Sequence, residues 1–309
     1  MFIERLTLRH FRNYKEATVT LAPQGAYIFG PNGSGKTNFL EAIYYLANHA
    51  SFRTTRREEL RAWNASHSAI HVLATRRETQ QQSELAVHLI PSGRRLLLNG
   101  KETRDLRRFT AQIAAVAFHP GTINVVKGGP GTRRYFVDRG ISSLHPEFAR
   151  VSQHFQRVLK QRNALMRTAT GHTPSSLAVW TEHFIAAAVQ LMRYRQAHVE
   201  QLNDTLATLV QHLGDDIGPV SLQYRPAVFA AGSSPEEACA AWESDTLLHE
   251  RCMAEARRLQ RAEEAMGQTL FGPQRDDFLI RYRGRESRSY ASQGEQRLTA
   301  FLLVAALAI

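Results

Sequence analysis

The sequence predicts an α/β fold in which a strand-rich, phosphate-binding unit is interrupted by a helical insertion. Three observations lead to this prediction. Residues 30–37 read GPNGSGKT, between the apolar run 26–29 and a helical pattern. Segments on both sides of that loop alternate apolar and polar residues, which is typical of half-buried strands. From Pro146 onward the apolar residues recur every three or four positions, which predicts helices with one buried face.

Length and composition are those of an ordinary globular protein. A chain of 309 residues has room for about two domains, and 43% hydrophobic with 22% charged residues fits neither a disordered nor a membrane protein. The N-terminus lacks the apolar stretch of a signal peptide. The longest apolar run, Leu298–Ile309, has 12 residues, which is too short for a bilayer. We therefore expect a cytoplasmic protein with no membrane partner.

The cysteines indicate no special chemistry. Cys239 and Cys252 lie 13 positions apart in a helical pattern. Because no CxxC pair is present, the sequence indicates neither a zinc site nor a disulfide framework. We expect both to be packing residues in a reducing compartment.

Basic residues are concentrated in the N-terminal part of the chain. The formal net charge is +11. Residues 1–135 contain 20 Lys and Arg against 9 Asp and Glu, whereas residues 136–309 contain 19 of each kind. One region therefore supplies the whole excess, and a surface of that charge is expected to bind a polyanion such as nucleic acid.

The N-terminal third is predicted to consist mainly of strands. Phe2–Leu8 and Thr18–Leu21 alternate, Ala26–Phe29 is apolar throughout, and a helix is predicted over Thr37–Ala47. Asn99-Gly100 is a strong signal for a type I′ hairpin turn. The other predicted strands are Ile70–Ala74, Leu85–Ile90, Arg95–Leu98 and Ile113–Phe118. The first three of these predict a small antiparallel sheet.

Three helical stripes follow. The first begins at Phe148, the second begins at Leu177, and the third runs from Ala238 to Met266. Spacings of three and four over this length fit a near-coiled-coil arm and an ordinary helical bundle equally well, because both bury the same stripes. Phe278–Tyr282 then returns to strand character. This order makes the strand-rich domain discontinuous.

The residues GPNGSGKT form a phosphate-binding loop, and a strand before it and a helix after it are the context that this motif requires. Its glycines let backbone N–H groups curl around phosphate oxygens, and the following helix directs its positive dipole end at the same anion. We expect Lys36 to reach the β- and γ-phosphates and the Thr37 hydroxyl to bind Mg²⁺, which makes these two the catalytic candidates. The predicted nucleotide contacts are Gly30, Pro31, Asn32, Gly33, Ser34, Gly35, Lys36 and Thr37.

A second helix N-terminus lies far along the chain, where residues 292–297 read SQGEQR before the final apolar helix. One interpretation is a capping box, in which Ser292 accepts a hydrogen bond from the Glu295 N–H and the Glu295 carboxylate reaches back. The other uses the same unpaired N–H groups, with Ser292 and Gly294, to bind a γ-phosphate. The phosphate-binding loop upstream favours the second interpretation.

Several segments together resemble one family. They are LTLRHFRNY at 6–14, the phosphate-binding loop and its helix at 30–46, SFRT at 51–54, VKGGPGTRRYFVD at 126–138, LKQRNALMR at 159–167, GPQRDDF at 272–278 and SQGEQR at 292–297. In this order the chain resembles the RecF family of bacterial recombinational repair proteins, which are built on the ABC-type ATPase head that SMC proteins share. The resemblance covers nearly the whole chain.

This resemblance implies a specific architecture. The fold would be an α/β, P-loop ABC-type ATPase head with a mixed sheet, an antiparallel β subdomain and an inserted helical lobe. The N-terminal part of the head would span residues 1–138 and the helical lobe 139–270. The return to the head, with the signature motif, would span 271–309.

The resemblance also implies a function. In heads of this type ATP and Mg²⁺ lie between two subunits, so the loop of one copy faces Ser292 and Gly294 of the other. Such a homodimer closes on ATP while it holds DNA, which is duplex, gapped or a single-strand to double-strand junction. It acts with other recombination mediator proteins in repair and replication maintenance.

Three further side chains have two interpretations each. By similarity Arg12 is a nucleotide contact, and the alternative is a solvated charge at a strand end. Arg133 and Arg134 are either phosphate contacts or members of structural ion pairs. Asp138 is the candidate partner for both of these arginines.

The chain departs from the family at its end. Relatives continue with an apolar strand that ends in two acidic residues, and then with a D-loop, but none of this follows Ile309. The uncapped apolar ending predicts a fragment cut inside the ATPase domain. Without the acidic segment we expect nucleotide binding without hydrolysis.

Other functions stay open on the residues alone. A GTPase would need an NKxD-type guanine selector, which the sequence lacks, and a nuclease-coupled ATPase would need an added metal-binding domain. A nucleotide kinase is a further P-loop alternative. A transporter ATPase subunit usually has a shorter helical insertion, and here the positive charge lies outside the insertion. A DNA clamp that binds nucleotide without turnover is favoured only by the ending of the chain.

Overall fold

The computed structural model describes residues 1–167, 174–214, 216–229 and 240–308. Ala238, Cys239 and Ile309 lie outside these ranges. The chain divides into two compact units, Met1–Ala117 and Phe118–Ile309, and each has its own hydrophobic core. The helical insertion and the segment after residue 270 therefore belong to one unit, while the division into a head and a lobe at residues 138 and 270 stays a prediction. Within the described ranges, every helix is too short or too polar to cross a membrane.

The first unit is built on a six-stranded sheet with the order β2-β1-β3-β4-β5-β6. Its strands are β1 Phe2–Phe11, β2 Tyr14–Thr20, β3 Ser68–Thr75, β4 Gln82–Ile90, β5 Gly93–Leu98 and β6 Lys101–Thr103. Helix α1 spans Lys36–Asn48, and the short helix α2 spans Leu106–Thr110. All neighbouring strands pair antiparallel. The helix predicted after the phosphate-binding loop is confirmed, as are five of the predicted strands.

Alternate residues of the central strands form the buried face of this sheet. Leu6 lies opposite Val72, Val72 lies opposite Leu85, and each is at most 1% exposed. Phe39 and Tyr45 of α1 belong to the same cluster. A slip of one residue would turn this whole set toward solvent, and each buried side chain of this kind contributes about 1.5–3 kcal/mol. The pattern of burial therefore fixes the strand register beneath α1.

The turn between β5 and β6 has the geometry that Asn99-Gly100 predicts. Asn99 has φ 51° and Gly100 has φ 74°, as a type I′ turn requires at both central positions. The Asn99 side chain also accepts a hydrogen bond from the backbone N–H of Glu84 at 2.8 Å. The turn is therefore fastened to the neighbouring strand β4.

Two predicted strands are wrong. Ala26–Phe29 and Ile113–Phe118 have no regular secondary structure and pair with no described strand. Tyr27 and Phe29 are 98% and 92% exposed. An apolar run forms a strand only when a neighbouring strand satisfies its backbone hydrogen bonds, and no described strand does so here.

The second unit combines helices with a three-stranded antiparallel sheet of order β7-β8-β9. The strands are β7 Val220–Arg225, β8 Asp277–Tyr282 and β9 Arg285–Glu286. The helices are α3 Asn124–Lys127, α4 Pro130–Leu144, α5 Phe148–Arg167, α6 Pro174–Leu213, α7 Asp245–Met266, α8 Ser287–Tyr290 and α9 Gln293–Ala306. The return to strand character at residues 278–282 is confirmed.

One core joins the helices of this unit to its sheet. The ring of Phe184 on α6 lies 5.6 Å from that of Phe155 on α5 and 5.4 Å from that of Phe271. The same cluster includes residues of α4, α7, α9, β7 and β8. The described helices therefore form a bundle packed on the sheet. Cys252 is 1% exposed in this core, and burial raises its pKa to about 12, as expected for a packing residue.

A buried arginine ties three segments of the unit together. Arg195 of α6 donates to both carboxylate oxygens of Asp138, at 2.8 and 2.9 Å, and its Nη1 donates to Asp276 at 3.1 Å. The Tyr224 hydroxyl and the Ala227 N–H also donate to the Asp276 carboxylate. Burial raises the pKa of Asp276, and the charge of Arg195 opposes that rise. Arg195 thus joins Asp138 and Asp276, which belong to two of the segments that resemble the RecF family.

A second buried arginine fastens α5 to the end of α7. Arg162 donates to Glu263 Oε2 and to Thr269 Oγ1, both at 2.7 Å. The side chains of Arg162 and Glu263 are 3% and 1% exposed. Asn163 accepts a hydrogen bond from the Thr269 N–H at 2.8 Å. Arg162 and Asn163 of the LKQRN segment therefore have structural roles in this unit.

We expect Arg162→Met to destabilise the second unit strongly, because it leaves the Glu263 carboxylate buried without its cation. Loss of one partner of a buried pair costs about 3–5 kcal/mol, which urea unfolding followed by circular dichroism measures. Asp245→Asn is the control: it breaks the pair with Arg193, in which the Asp245 side chain is 76% exposed, and it should cost less than about 1 kcal/mol. Equal losses for the two variants would contradict this account.

Candidate nucleotide-binding site

The phosphate-binding loop runs from Gly30 into the first residues of α1, and three glycines set its path. Gly30, Gly33 and Gly35 have φ of 152°, 83° and 102°, a region that side chains with a Cβ rarely adopt. At Gly35 there is also no room, because an added Cβ would lie 2.7 Å from Asn13 Nδ2 and 3.0 Å from the Tyr14 hydroxyl. The glycines therefore allow the backbone to curl and to pass close to the turn between β1 and β2.

The turn between β1 and β2 holds the loop from one side. The Tyr14 hydroxyl donates to the Gly35 carbonyl at 3.2 Å, and Asn13 Nδ2 donates to the Ser34 carbonyl at 3.4 Å. Asn38 of α1 donates to Asn13 Oδ1 at 2.8 Å. Burial raises the pKa of Tyr14, so its hydroxyl stays protonated and remains a donor. These bonds use carbonyls of the loop and none of its N–H groups, of which that of Ser34 donates within the loop to the Pro31 carbonyl at 3.3 Å.

The N-terminus of α1 is open to an anion. Gly35 at the N-cap position makes no side-chain capping bond, and the first turn contains no acidic residue. The first N–H groups of a helix have no acceptor within the helix, and they carry the positive end of its dipole. Lys36 Nζ lies over the loop, where it donates to the carbonyls of Gly30 and Pro31 at 2.7 Å each. Donors and positive charge therefore converge on one exposed loop.

The residues present fit a nucleoside triphosphate with a divalent cation. Pro31, Asn32, Gly33 and Ser34 are exposed, and Thr37 is exposed one position after Lys36. Backbone donors and an ammonium group suit phosphate oxygens, and a hydroxyl suits Mg²⁺. Among the described residues no group of three or more His, Cys, Asp or Glu could hold a metal ion. Thr37 is therefore the ligand that the loop itself offers, and the phosphates would provide others.

Arg12 lies beside α1. It donates to both carboxylate oxygens of Glu41, at 2.9 and 2.7 Å, and to the Glu59 carbonyl at 2.6 Å. Its side chain is only 15% exposed, so the interpretation as a solvated strand-end charge is wrong. The nucleotide contact stays a prediction, and these bonds fix where the guanidinium lies.

Glu41 lies in no motif that predicts a site, although it binds the residues around Arg12 and the SFRT segment. It is the only acidic residue of α1 and is fully buried. Besides Arg12, its carboxylate binds the Ser51 hydroxyl and Arg53 Nη1. Ser51 in turn accepts hydrogen bonds from the N–H groups of Arg53 and Thr54. The SFRT segment is therefore a turn held on α1 by a carboxylate, and a lone Glu in an apolar helix face was the available signal.

The second helix N-terminus forms the capping box and is also exposed. Ser292 Oγ accepts from the Glu295 N–H at 3.3 Å, and the Ser292 N–H donates to Glu295 Oε2 at 2.7 Å. Hydrogen bonds to the Glu295 carboxylate from the Ser292 N–H and then from the Ser292 side chain lower the pKa of Glu295. Ser292, Gln293 and Gly294 lie on the surface of their unit. The Ser292 hydroxyl is thus engaged with Glu295 in the cap, and a phosphate would have to replace that carboxylate as its acceptor.

Arg133 belongs to a structural ion pair, and Arg134 makes a structural hydrogen bond to the backbone. Arg133 donates to both carboxylate oxygens of Asp277, at 2.7 and 2.9 Å, and Arg134 donates to the Asp276 carbonyl at 2.7 Å. Asp138 is the partner of neither, because its carboxylate is bound by Arg195. Burial lowers the pKa of Arg134, and the charge of Arg195 adds to this effect.

Comparison with known proteins places these motifs in one family. The model of the RecF/RecN/SMC N terminal domain matches residues 2–309. A DNA replication and repair protein RecF from Halalkalibacterium halodurans is 33% identical over 98% of this chain and 79% of its own length. One from Acidothermus cellulolyticus is 34% identical over 96% of this chain and 78% of its own length.

A solved structure confirms the predicted fold class. The structure described as the recombination mediator protein RecF-ATP in the RecFOR pathway matches with a TM-score of 0.83. The match covers 99% of this chain and 80% of that chain, at 21% sequence identity. At this level of identity the likeness is one of fold.

We expect Gly35→Ala to weaken binding of a fluorescent nucleoside triphosphate by about tenfold or more, since a left-handed residue with a Cβ costs about 1–2 kcal/mol. Displacement of Asn13 adds to this cost. Gly131→Ala, at a helical glycine where an added Cβ meets only Arg134 Nη2 at 3.8 Å, is the control and should leave affinity unchanged. If the Gly35→Ala variant binds the nucleotide as tightly as the control variant while both stay folded, the close approach of Asn13 to Gly35 does not shape the loop.

Proposed function

The chain belongs to the RecF family, within the RecF/RecN/SMC group, and on that basis we propose that it is an ATP-dependent DNA-binding protein of recombinational repair and replication maintenance. The matched solved structure is a recombination mediator with ATP, which supports ATP as the ligand here. Family membership also favours this function over those of a transporter subunit or a nuclease-coupled ATPase. The protein would act in the cytoplasm.

One observation carries the nucleotide part of this proposal: Lys36 and an uncapped helix face the same exposed loop. The N–H groups of residues 33–37 would hold the β-phosphate of ATP. Lys36 would exchange its two carbonyl acceptors for β- and γ-phosphate oxygens, which gives stronger, charge-assisted bonds. Thr37 would bind Mg²⁺, which neutralises phosphate charge when present.

The second helix N-terminus would complete the site from another copy of the chain. Ser292 and Gly294 are exposed and lie at the start of α9, so their donors are accessible to a γ-phosphate held by a partner's loop. Glu295 is drawn to the Ser292 N–H, which keeps its carboxylate on the capping side. A homodimer would then close on two ATP molecules, each held between one Lys36 and one Ser292.

The DNA part rests on charge. The excess of 11 positive charges lies within residues 1–135, which places the basic surface largely on the unit that carries the phosphate-binding loop. Such a surface binds the phosphate backbone without sequence preference and with a steep salt dependence. Duplex or gapped DNA, or a single-strand to double-strand junction, would be the substrate, with other recombination mediators as partners.

We expect Lys36→Ala to lower ATP affinity by about ten- to a hundredfold, because it removes bonds to a charged group worth about 1.5–3 kcal/mol. In filter binding to gapped DNA, the variant should lose stimulation by ATP and keep weak basal binding. Lys160→Ala, an exposed helix position, should keep both.

A salt series extends this test. Basal DNA affinity should fall steeply with salt, with a slope of about −0.9 per phosphate contact in a log–log plot. ATP stimulation that survives in Lys36→Ala, or DNA affinity that does not respond to salt in the unchanged protein, would refute the proposed function.

A further inference from the structure

The outer side of the sheet in the second unit contains a cleft of about 520 Å³. It lies over β7, β8 and β9 and reaches helix α8, close to the exposed Ser292 segment in sequence. We call it the arginine cleft, and its lining residues are Arg225, Leu279, Arg281, Gly284, Arg285, Glu286 and Tyr290. The cleft belongs to the second unit, and the phosphate-binding loop belongs to the first.

The three arginines of the cleft have no partner in the described part of the chain. Within residues 1–167, 174–214, 216–229 and 240–308, no hydrogen bond or ion pair engages the guanidinium groups of Arg225, Arg281 or Arg285. Asp277, which lies opposite Arg225 in the ladder, is taken by Arg133. Glu286 lines the cleft but forms no ion pair there. Three unpaired guanidinium groups against one carboxylate make a site for phosphate oxygens.

The spacing of these arginines fits a chain of phosphates. Arg281 lies opposite Ser221 in the ladder, whereas Arg225 lies opposite Asp277. Their positions therefore differ by four residues along the strands, which is about 13 Å at 3.3 Å per residue. Two cations at that distance suit a polynucleotide backbone better than a single phosphate.

Tyr290 adds a surface for a base. Its side chain is 70% exposed at the edge of the cleft, and no described aromatic ring stacks on it. An exposed aromatic ring beside a basic groove is the arrangement by which proteins bind single strands, because each unpaired base offers a free face for stacking. In a duplex those faces are covered by the neighbouring base pairs. The aromatic ring therefore favours a single strand over a duplex.

We propose that the arginine cleft binds single-stranded DNA, with Arg225, Arg281 and Arg285 on the phosphates and Tyr290 stacked on a base. This inference rests on the proposed DNA-binding function and adds to it a site for single-stranded DNA. The count of charges could not reveal it, because residues 136–309 are neutral as a whole. The net charge of a segment does not report how its arginines are paired.

The test is fluorescence anisotropy with a labelled oligo(dT) of about 20 nucleotides, longer than a typical single-strand site, in the absence of nucleotide. The triple variant Arg225→Gln, Arg281→Gln, Arg285→Gln should lower affinity at least tenfold. It should also reduce the salt slope by about 2, since each single-strand phosphate contact contributes about 0.7. The control is Arg150→Gln, Arg157→Gln, Arg257→Gln, three exposed helix positions of the same unit, which removes the same charge and should stay within twofold.

Substitution of Tyr290 tests the base contact. Tyr290→Ala should lower oligo(dT) affinity by about tenfold, which is within the range of one lost stacking contact, while leaving affinity for a blunt duplex unchanged. Tyr290→Phe, which keeps the ring, should bind like the unchanged protein. Thermal unfolding midpoints for all variants show that the unit stays folded.

Besides unchanged oligo(dT) binding by the cleft variants, three results would overturn the assignment. These are an equal loss in the control triple variant, an equal effect of Tyr290→Ala on the duplex, or displacement of oligo(dT) by free ATP. Binding of a fluorescent ATP analogue, measured in parallel, separates this inference from the proposed function. If cleft variants keep ATP binding and ATP-stimulated binding of gapped DNA but bind oligo(dT) normally, only the cleft assignment fails. If Lys36→Ala keeps ATP stimulation while the cleft variants lose oligo(dT) binding, only the nucleotide proposal fails.

Discussion

The open N-terminus of α1 is the constraint on which the rest of the candidate site depends. A helix usually satisfies its first N–H groups with a capping side chain, yet Gly35 provides none. Instead the neighbouring turn at Asn13 and Tyr14 binds loop carbonyls, which holds the backbone curled without using its N–H groups. Lys36 then rests on two carbonyls that a phosphate could replace. Contacts within the chain therefore hold the loop in the curled form that suits an anion.

Buried arginines join distant segments of the second unit. Arg162 and Arg195 each join segments that are far apart in sequence, and Arg133 does the same through Asp277. The segments that most clearly resemble the RecF family are therefore largely held by carboxylate–guanidinium pairs. The arginines of the cleft differ from these buried arginines, because no described acceptor binds their guanidinium groups.

The sequence predicted those features whose causes are local. The Asn99-Gly100 turn and helix α1 follow from residue types within a few positions, and the structure confirms both. The strand predicted at Ala26–Phe29 was wrong, because apolar character does not provide a pairing partner. Tyr27 in this segment is 98% exposed. The Glu41 and Asp138 contacts depend on residues distant in sequence, which no spacing pattern encodes. The motif at residues 30–37 is visible in the sequence, whereas the acceptors of the buried arginines are not.

The central claim is that one ATP lies between the loop of one copy and the Ser292 segment of another, and a mixing experiment tests it most directly. Lys36→Ala and Ser292→Glu should each stay monomeric with ATP in sedimentation velocity, because neither can form an intact site with itself. An equimolar mixture should form dimers, since the loop of the Ser292→Glu copy then meets the unchanged Ser292 of the Lys36→Ala copy. A mixture that stays monomeric while the unchanged protein dimerises, or dimers formed by either variant alone, would contradict the account.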